Sequence, residues 1–189
     1  MKLPISLRAF AALFAFGAIF LTALDAIHVH THTLAYVRPF ALDQAWWVPL
    51  LMGSAASIGG ALYVWGWSRL GGSTALPRSS RVALAVMAFA VMYAASGLLP
   101  ATAVTKLVVI AVAAVVIFRE VDGSRAGSIL LVVGAIGGTL AEAANHGFFY
   151  LEPDFFRVPM WLPALYACAT PAMGQLARRV AARFPTRSA

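Results

Sequence analysis

The chain has 189 residues, of which 61% are apolar and only 11% are charged, with 14 Lys and Arg against 7 Asp and Glu. Soluble domains carry about 25% charged residues, so a mean hydropathy of +0.83 excludes a soluble enzyme and a disordered chain. The single cysteine, Cys168, excludes a disulfide scaffold. The net charge of +7 does not indicate nucleic-acid binding, because the basic residues are spread between apolar runs. The composition predicts a polytopic helical membrane protein.

Six apolar segments, separated by charged or helix-breaking residues, are long enough to cross a bilayer, which takes roughly 20 residues. They predict an all-α fold with one transmembrane domain over residues 1–189 and helices at 7–27, 44–67, 82–98, 101–119, 126–149 and 159–180. Gly97 and Pro100 divide the third and fourth helices into a hairpin. The first helix lacks a clear cleavage site, so we expect it to stay attached as an anchor.

The basic residues predict the orientation of these helices. Three of the 14 Lys and Arg residues, namely Arg38, Lys106 and Arg157, lie on the side opposite the N-terminus, and the others lie on the N-terminal side. Cytoplasmic loops carry the excess of positive charge. We therefore expect an integral membrane protein with both termini in the cytoplasm, which agrees with an even number of helices.

Small and aromatic residues indicate how the helices pack. Gly53 in the second helix, and Gly134 and Gly138 in a GxxxG pair of the fifth, favour close helix packing. A groove for a lipid, for a partner helix or for another protomer is the alternative at these glycines. Trp47 belongs to a group of tryptophans at the ends of the second helix, which is typical of an aromatic belt, with ligand stacking as the alternative. Prolines within the spans predict kinks that leave a cavity.

Two groups of polar residues stand at or within the spans, where an ionisable side chain costs roughly 3 kcal/mol. The first comprises Asp25, His28, His30 and His32, and the second comprises Glu142, Asn145 and His146. Spacings of three and four predict that the second group shares one helix face. Lipid head-group contact, interhelical hydrogen bonding and metal binding are all open interpretations. The metal alternative is an intramembrane hydrolase that uses Asp25, His28, Glu142 and His146, although the HExxH pattern is absent.

Several motifs resemble those of the Insig (insulin-induced gene) family. Residues 45–49 read AWWVP, 122–127 read DGSRAG, 153–155 read PDF after Asn145, 161–163 read WLP, and 174–178 read GQLAR. Each motif is weak alone, but together they keep the family's order and similar spacing over about residues 8–180. The chain is therefore identified as a member of the Insig family by resemblance, and its short loops and alanine-rich helices suggest a prokaryotic relative.

The resemblance implies a six-helix protein with cytoplasmic termini that is not an enzyme. Members of the family hold oxysterols and bind sterol-sensing domains of partner membrane proteins in cholesterol regulation. Asp122 matches a loop aspartate that the family needs for partner function, and Arg125 lies in the same motif. The chain departs from the family at Thr105 and Phe118, which replace a Gln and a Trp, and at Glu142 and His146, which replace non-ionisable residues. These departures put a sterol ligand and a sterol-sensing partner in doubt.

The residues and the resemblance together predict an amphipathic lipid, diacylglycerol-like or sterol, bound in an intramembrane cavity for a regulatory or sensing role. The expected lipid-binding residues are Asp25, His28, Trp47, Ser54, Ser57, Glu142, Asn145 and His146. No catalytic residue, metal or cofactor other than the lipid is expected. We also expect a small homo-oligomer, with a trimer as the preferred state, a possible membrane-protein partner, no nucleic acid, and the inner membrane as the location in a bacterium.

Overall fold

The computed structural model describes residues 4–185, so Lys2 and Arg187, two of the residues that predict the orientation, lie outside the described residues. Within residues 4–185 the chain forms six helices and one two-stranded antiparallel ribbon. The helices are α1 Leu7–His30, α2 Val48–Arg69, α3 Ser79–Leu98, α4 Ala103–Val121, α5 Arg125–Ala144 and α6 Leu162–Arg183. The strands are β1 Leu34–Tyr36 and β2 Phe148–Tyr150. The predicted all-α, six-helix class is confirmed.

Four of the helices, α1, α2, α3 and α5, are long and apolar enough to cross a membrane. Helices α4 and α6 carry more charge, but it lies near their ends, as Arg119 and Glu120 in α4 and Arg178 and Arg183 in α6 show. Helix α6 packs against each of the other five helices. Its inward residues are small, such as Ala172, Gly174 and Ala177, and small residues allow the backbones to approach closely.

Glycines mark two further close helix crossings. A Cβ on Gly17 of α1, which begins a π-helical segment at Gly17–Leu21, would lie 2.5 Å from Ala56 of α2. Gly53 of α2 lies under the ring of Phe14. In α5, a Cβ on Gly134 or Gly138 would lie 2.1 Å from Thr170 or 2.2 Å from Tyr166 of α6. The GxxxG face therefore packs closely against α6 within the chain, which is the interpretation that the small residues favoured over the alternative of another protomer.

Strands β1 and β2 join the α1–α2 loop to the α5–α6 loop. Leu34 pairs with Tyr150, and Tyr36 pairs with Phe148. The sequence analysis predicted no strand here, because each strand is only three residues long and its partner is remote in the chain. The ribbon also explains why α5 ends at Ala144 and not at 149, since the chain turns at Asn145 and Gly147 to enter β2.

The two loops are structural repeats, 114 residues apart from Tyr36 to Tyr150. Each has a strand, then a tight turn, closed by a bridge between Ala41 and Gln44 in one copy and between Phe155 and Val158 in the other. Both central residues of each turn have positive φ, at 42–43 and at 156–157. Each loop then leads into a helix with a tryptophan at its N-cap and a proline in its first turn. The antiparallel register of the ribbon is the one that a local two-fold axis would produce.

Other predicted helix ends also shift. Helix α1 continues to His30 rather than ending at 27, and α2 begins at Val48 rather than at 44, because Trp47 and Pro49 start it. Helix α6 runs to Arg183 rather than to 180. Arg178 and Arg179 lie within this helix and donate to carbonyls of the α2–α3 loop.

Candidate functional site

A carboxyl group lies beneath each strand of the ribbon, buried in the case of Asp25 and half-buried in the case of Glu142. Asp25 of α1 is only 2% exposed, and its Oδ2 accepts hydrogen bonds of 2.7 Å from the Tyr36 hydroxyl and of 2.7 Å from Gln44 Nε2. Gln44 also donates to the carbonyl of Thr22. A buried carboxyl group needs such donors, because leaving its oxygens unpaired would be costly. The α1–α2 loop therefore folds back onto α1 through Asp25.

Glu142 plays the matching part in the second repeat. Its Oε2 accepts a 2.5 Å hydrogen bond from the Tyr150 hydroxyl, and its Oε1 accepts one of 2.5 Å from the Tyr166 hydroxyl. Glu142 thus ties β2 to both α5 and α6. It is close enough to Asp25 for the two carboxyl groups to interact electrostatically. We call Asp25, Glu142 and the three tyrosines 36, 150 and 166 the polar layer.

The two ribbon tyrosines act as neutral donors. Burial raises the pKa of both the Tyr36 and the Tyr150 hydroxyl above the usual value; the carboxyl groups of Asp25 and Glu142 raise the pKa of Tyr36 further, and that of Glu142 raises the pKa of Tyr150 further. Trp47 packs edge-on against the Tyr36 ring at 5.4 Å between ring centroids. Trp47 therefore supports the ribbon tyrosine, a role that the aromatic-belt interpretation did not include.

His28 lies beside the polar layer and is 1% exposed. Its ring stacks on Tyr93 of α3 at 4.2 Å and meets Trp161 edge-on at 5.7 Å. Its Nε2 is 2.7 Å from Ser96 Oγ and 3.1 Å from the Tyr93 carbonyl. Lys106 of α4 donates to the Ser96 carbonyl at 2.8 Å. These contacts bring α1, α3, α4 and the start of α6 together at the ribbon end of the bundle.

The other predicted lipid-binding residues lie apart from this layer. Asn145 ends α5, and its Oδ1 accepts from the Gly147 backbone, while His146 is exposed and bonds to Arg157. The prediction that Glu142, Asn145 and His146 share one helix face is therefore wrong, because the helix has already ended. Ser57 donates to the carbonyl of Gly53 in its own helix, and the Ser54 carbonyl accepts a second, weaker contact from it.

The predicted metal alternative gains no support from this geometry. Across residues 4–185, no three His, Cys, Asp or Glu side chains converge as a metal site. Asp25 and Glu142 each face tyrosine hydroxyls, and His146 points to Arg157 instead of to His28. The four residues of the hydrolase hypothesis therefore do not form one constellation.

A second polar network lies at the opposite end of the bundle, around the Asp122 loop. Asp122 Oδ1 accepts from the Ser124 backbone at 3.0 Å, and its Oδ2 is 3.4 Å from the Tyr63 hydroxyl. The side chain lies against Gly127, where a Cβ would collide with it. Arg125 begins α5 and is exposed. The predicted partner motif thus combines a fixed aspartate with a free arginine.

Helix α6 extends this network to the α2–α3 loop. Gln175 donates to the Tyr63 hydroxyl, and Arg178 donates to Gln175 at 2.9 Å and to the Ser73 carbonyl at 2.5 Å. The Arg178 guanidinium also lies 4.2 Å from the centre of the Trp67 ring. Both Gln175 and Arg178 belong to the GQLAR motif, so this motif joins α6 to α2 and to the α2–α3 loop.

Two apolar grooves open on the outer surface. One follows α4, and the other runs between α4, α5 and α6. The second groove is lined by Ala111, Ala114, Val115, Phe118, Ser128, Leu131, Val132, Ala164 and Ala167. None of the predicted lipid-binding residues lines either groove, because the side chains of the polar layer bond to one another instead.

The amino-acid sequence is similar to those of several vertebrate insulin-induced gene proteins. No model of a known protein family matches the chain. It is 27% identical to the insulin-induced gene 1 proteins of Cricetulus griseus and Mus musculus over 181 residues, which covers 92% of this chain and 70% of each relative. The protein of Bos taurus is 28% identical over 181 residues, or 66% of its length. The chain is therefore similar to Insig proteins over most of its length.

Solved structures agree with this similarity at the level of the fold. MvINS, a mycobacterial Insig homologue from Mycobacterium vanbaalenii, superposes with a TM-score of 0.81 at 23% identity, over 97% of this chain and 99% of that chain. A cross-linked trimer of MvINS gives the same TM-score at 24% identity and the same coverage. The Insig resemblance and the membrane-protein prediction are therefore confirmed.

Asp25 and Glu142 were predicted as site residues, but the side chains that donate hydrogen bonds to them were not. Tyr36, Gln44, Tyr150 and Tyr166 were not predicted as site residues, although Tyr36 and Tyr150 occupy the same place in two similar loops. The signal that could have found them is the internal repeat, in which a tyrosine is followed by Pro39 or Pro153 and then by a tryptophan and a proline at a helix start.

Proposed function

We propose that this Insig-like protein binds a neutral amphipathic lipid within its helix bundle and serves a regulatory or sensing role, not an enzymatic one. The observation that carries the proposal is the polar layer itself, in which two carboxyl groups and three tyrosines meet at one end of an apolar bundle. Ionisable groups at membrane depth are costly and usually functional. The names of the Insig relatives describe no catalytic activity.

The apolar groove supplies room for the hydrocarbon part of such a lipid. It is open to the surface between α4, α5 and α6, so a chain can enter it sideways from the bilayer. Ala164 at its α6 side lies one helical turn from Trp161, which contacts His28. A lipid lying in this groove would therefore place its polar end near the polar layer.

The chemistry of the layer favours a lipid with several oxygen atoms. When a lipid binds, the tyrosine hydroxyls would have to leave the carboxyl groups to donate to ester carbonyls, and the carboxyl groups and His28 can accept from a hydroxyl. Diacylglycerol has two esters and one hydroxyl, whereas a simple sterol has one hydroxyl. A diacylglycerol-like ligand uses more of these groups, and a sterol is the alternative.

Orientation, location and assembly complete the proposal. The distribution of basic residues supports cytoplasmic termini, which puts the Asp122 network on the cytoplasmic side and the ribbon on the other. In a bacterium the location would be the inner membrane. A homotrimer is supported by the cross-linked trimer of MvINS. The exposed Arg125 beside the fixed Asp122 would be a contact for a membrane-protein partner.

Mass spectrometry of lipid that co-purifies in a mild detergent tests the proposal. We expect one neutral lipid species per chain, enriched over its share of the host membrane. The matched control is the protein with Glu142→Leu, which removes a polar-layer acceptor and should lose the enriched species while it keeps annular phospholipid. Wild-type protein that carries only bulk phospholipid would contradict the proposal. Stoichiometric zinc in elemental analysis would instead support the hydrolase alternative.

A further inference from the structure

Two buried polar atoms of α1, Oγ1 of Thr22 and Nδ1 of His28, are left without a partner among the described residues. Nδ1 of His28 has no hydrogen-bond partner among residues 4–185, although the side chain is only 1% exposed. Buried polar atoms in native proteins are almost always paired. This histidine is held on three sides, by the Tyr93 ring, the Trp161 ring and Ser96, so its orientation is fixed.

The hydrogen bonds of the other ring nitrogen show which kind of partner Nδ1 requires. Ser96 uses its hydroxyl proton to donate to the Tyr93 carbonyl at 2.7 Å. Both neighbours of Nε2, the Ser96 oxygen and the Tyr93 carbonyl, are then acceptors, so Nε2 carries the proton. In the neutral ring the other nitrogen is a bare acceptor. Nδ1 of His28 therefore needs a donor.

No donor of the described residues lies within hydrogen-bond distance of Nδ1 of His28. Tyr36 donates to Asp25, Tyr150 and Tyr166 donate to Glu142, and Lys106 donates to the Ser96 carbonyl. A donor for Nδ1 has to come from outside the chain. The groove reaches Ala164, one turn from the Trp161 that touches His28, so a bound lipid is placed to supply it.

The internal repeat indicates that His28 is not needed to hold the ribbon. His28 stands 114 residues before Glu142, at the same place in its repeat. In the second repeat that position binds the ribbon tyrosine, but in the first repeat Asp25 does so, one helical turn earlier. The first repeat thus has a polar side chain at this position that its ribbon does not use.

We propose that His28 is a specificity-determining residue whose Nδ1 accepts a hydrogen bond from the free hydroxyl of the bound lipid. The inference rests on the proposed lipid-binding function and deepens it. The protein then selects neutral lipids with a free hydroxyl, such as a diacylglycerol or a sterol. It rejects the esters in which that hydroxyl is capped, because capping removes the donor and leaves Nδ1 unpaired.

A binding assay with paired lipids tests this inference. The probes are dioleoylglycerol and the triester made by acetylating its hydroxyl, and, as a second pair, cholesterol and cholesteryl acetate, each titrated into the delipidated full chain in detergent. We expect wild-type protein to bind the free alcohol of one pair about tenfold more tightly than its ester, which corresponds to about 1.4 kcal/mol. The pair that shows binding also identifies the lipid class.

Two variants separate the ring nitrogens. His28→Gln retains a donor near the place of Nε2 but has no acceptor at that of Nδ1, so it should lower the preference to about one- to twofold and bind the ester as wild type does. His28→Asn retains an acceptor near Nδ1 and should keep more of the preference. The control is His30→Gln, an exposed residue of the same helix, which should behave as wild type.

The outcomes distinguish the two proposals. Equal binding of alcohol and ester by wild-type protein, or a preference that His28→Gln retains in full, would overturn the role of His28 and leave lipid binding intact. Failure of wild-type protein to bind any of the four lipids would overturn both. The alcohol-to-ester comparison uses unmodified protein, so it decides the matter even when the variants fold poorly.

Discussion

The two repeats of the chain, α1–β1–α2 and α5–β2–α6, each hold one strand of the ribbon, but with partly different residues. Each holds its ribbon strand by a tyrosine that donates to a carboxyl group, Tyr36 to Asp25 and Tyr150 to Glu142. The second donor differs, since Gln44 of the loop serves Asp25 and Tyr166 of α6 serves Glu142. The shared part of the design holds the ribbon, and the part that differs leaves His28 without a role in it.

The largest expected effect comes from removing either carboxyl group. Asp25→Leu would remove the carboxyl acceptor of Tyr36 and Gln44. Glu142→Leu would remove that of Tyr150 and Tyr166. Each orphaned donor costs about 1–3 kcal/mol, so we expect each variant to lower the unfolding free energy by about 4 kcal/mol. Thermal unfolding in detergent measures this. Glu120→Leu, at an exposed position, is the control. If only one of the two carboxyl variants lost stability, the two repeats would not be equivalent.

A somewhat smaller loss is expected from crowding the helix packing of the second repeat. The Gly138 Cβ would lie 2.2 Å from the Tyr166 ring, so Gly138→Leu should displace a tyrosine of the polar layer and lower stability by about 3 kcal/mol. Gly137→Leu is a matched control, because a Cβ there meets nothing within 4 Å. Equal melting temperatures for the two variants would show that α5 and α6 do not pack as described.

The ribbon tyrosines should behave as equals. Tyr36→Phe and Tyr150→Phe each remove one hydrogen bond and leave the carboxyl group one other donor, so we expect a loss of about 1 kcal/mol from each. A double-mutant cycle with Asp25→Asn should show coupling to Tyr36 but much less to Tyr150. Strong coupling across the repeats would mean that the two pairs act as one unit.

The smallest effect is a pH dependence above neutrality. The raised pKa values of Tyr36 and Tyr150 mean that their folded forms keep the proton when the unfolded chain has begun to lose it. This contribution to stability is complete below the usual tyrosine pKa of about 10 and declines as the pH rises from there toward the raised values. Unfolding free energy measured between pH 8 and about 11 should fall less steeply in the double Phe variant. Identical slopes would argue against buried, neutral tyrosines.

Much of the architecture could be predicted from the sequence because the bilayer constrains it strongly. Apolar runs located six helices, and ionisable residues within the spans singled out Asp25 and Glu142, since such groups are costly there. The partners of these carboxyl groups could not be predicted from local patterns. They depend on a ribbon that joins residues 34–36 to 148–150, and its strands are too short for a periodic signal.

The wrong predictions also have a local cause. His146 was assigned to the face of Glu142 because a helix was extended to 149, whereas the chain leaves the helix at Asn145 and Gly147. Another protomer stayed an alternative to helix packing at Gly138, because a small residue shows that something approaches closely but not what approaches. Here the neighbour is Tyr166 of the same chain.

Photo-crosslinking tests the central claim of lipid binding at the polar layer most directly. The probe is a diacylglycerol that carries a diazirine close to its hydroxyl, added to the full chain and followed by peptide mass spectrometry. We predict crosslinks at the ribbon end of α1, α3 and α6, around His28, Tyr93 and Trp161, that unlabelled diacylglycerol competes away. Crosslinks confined to the outer surface of α4, with no competition, would contradict the account.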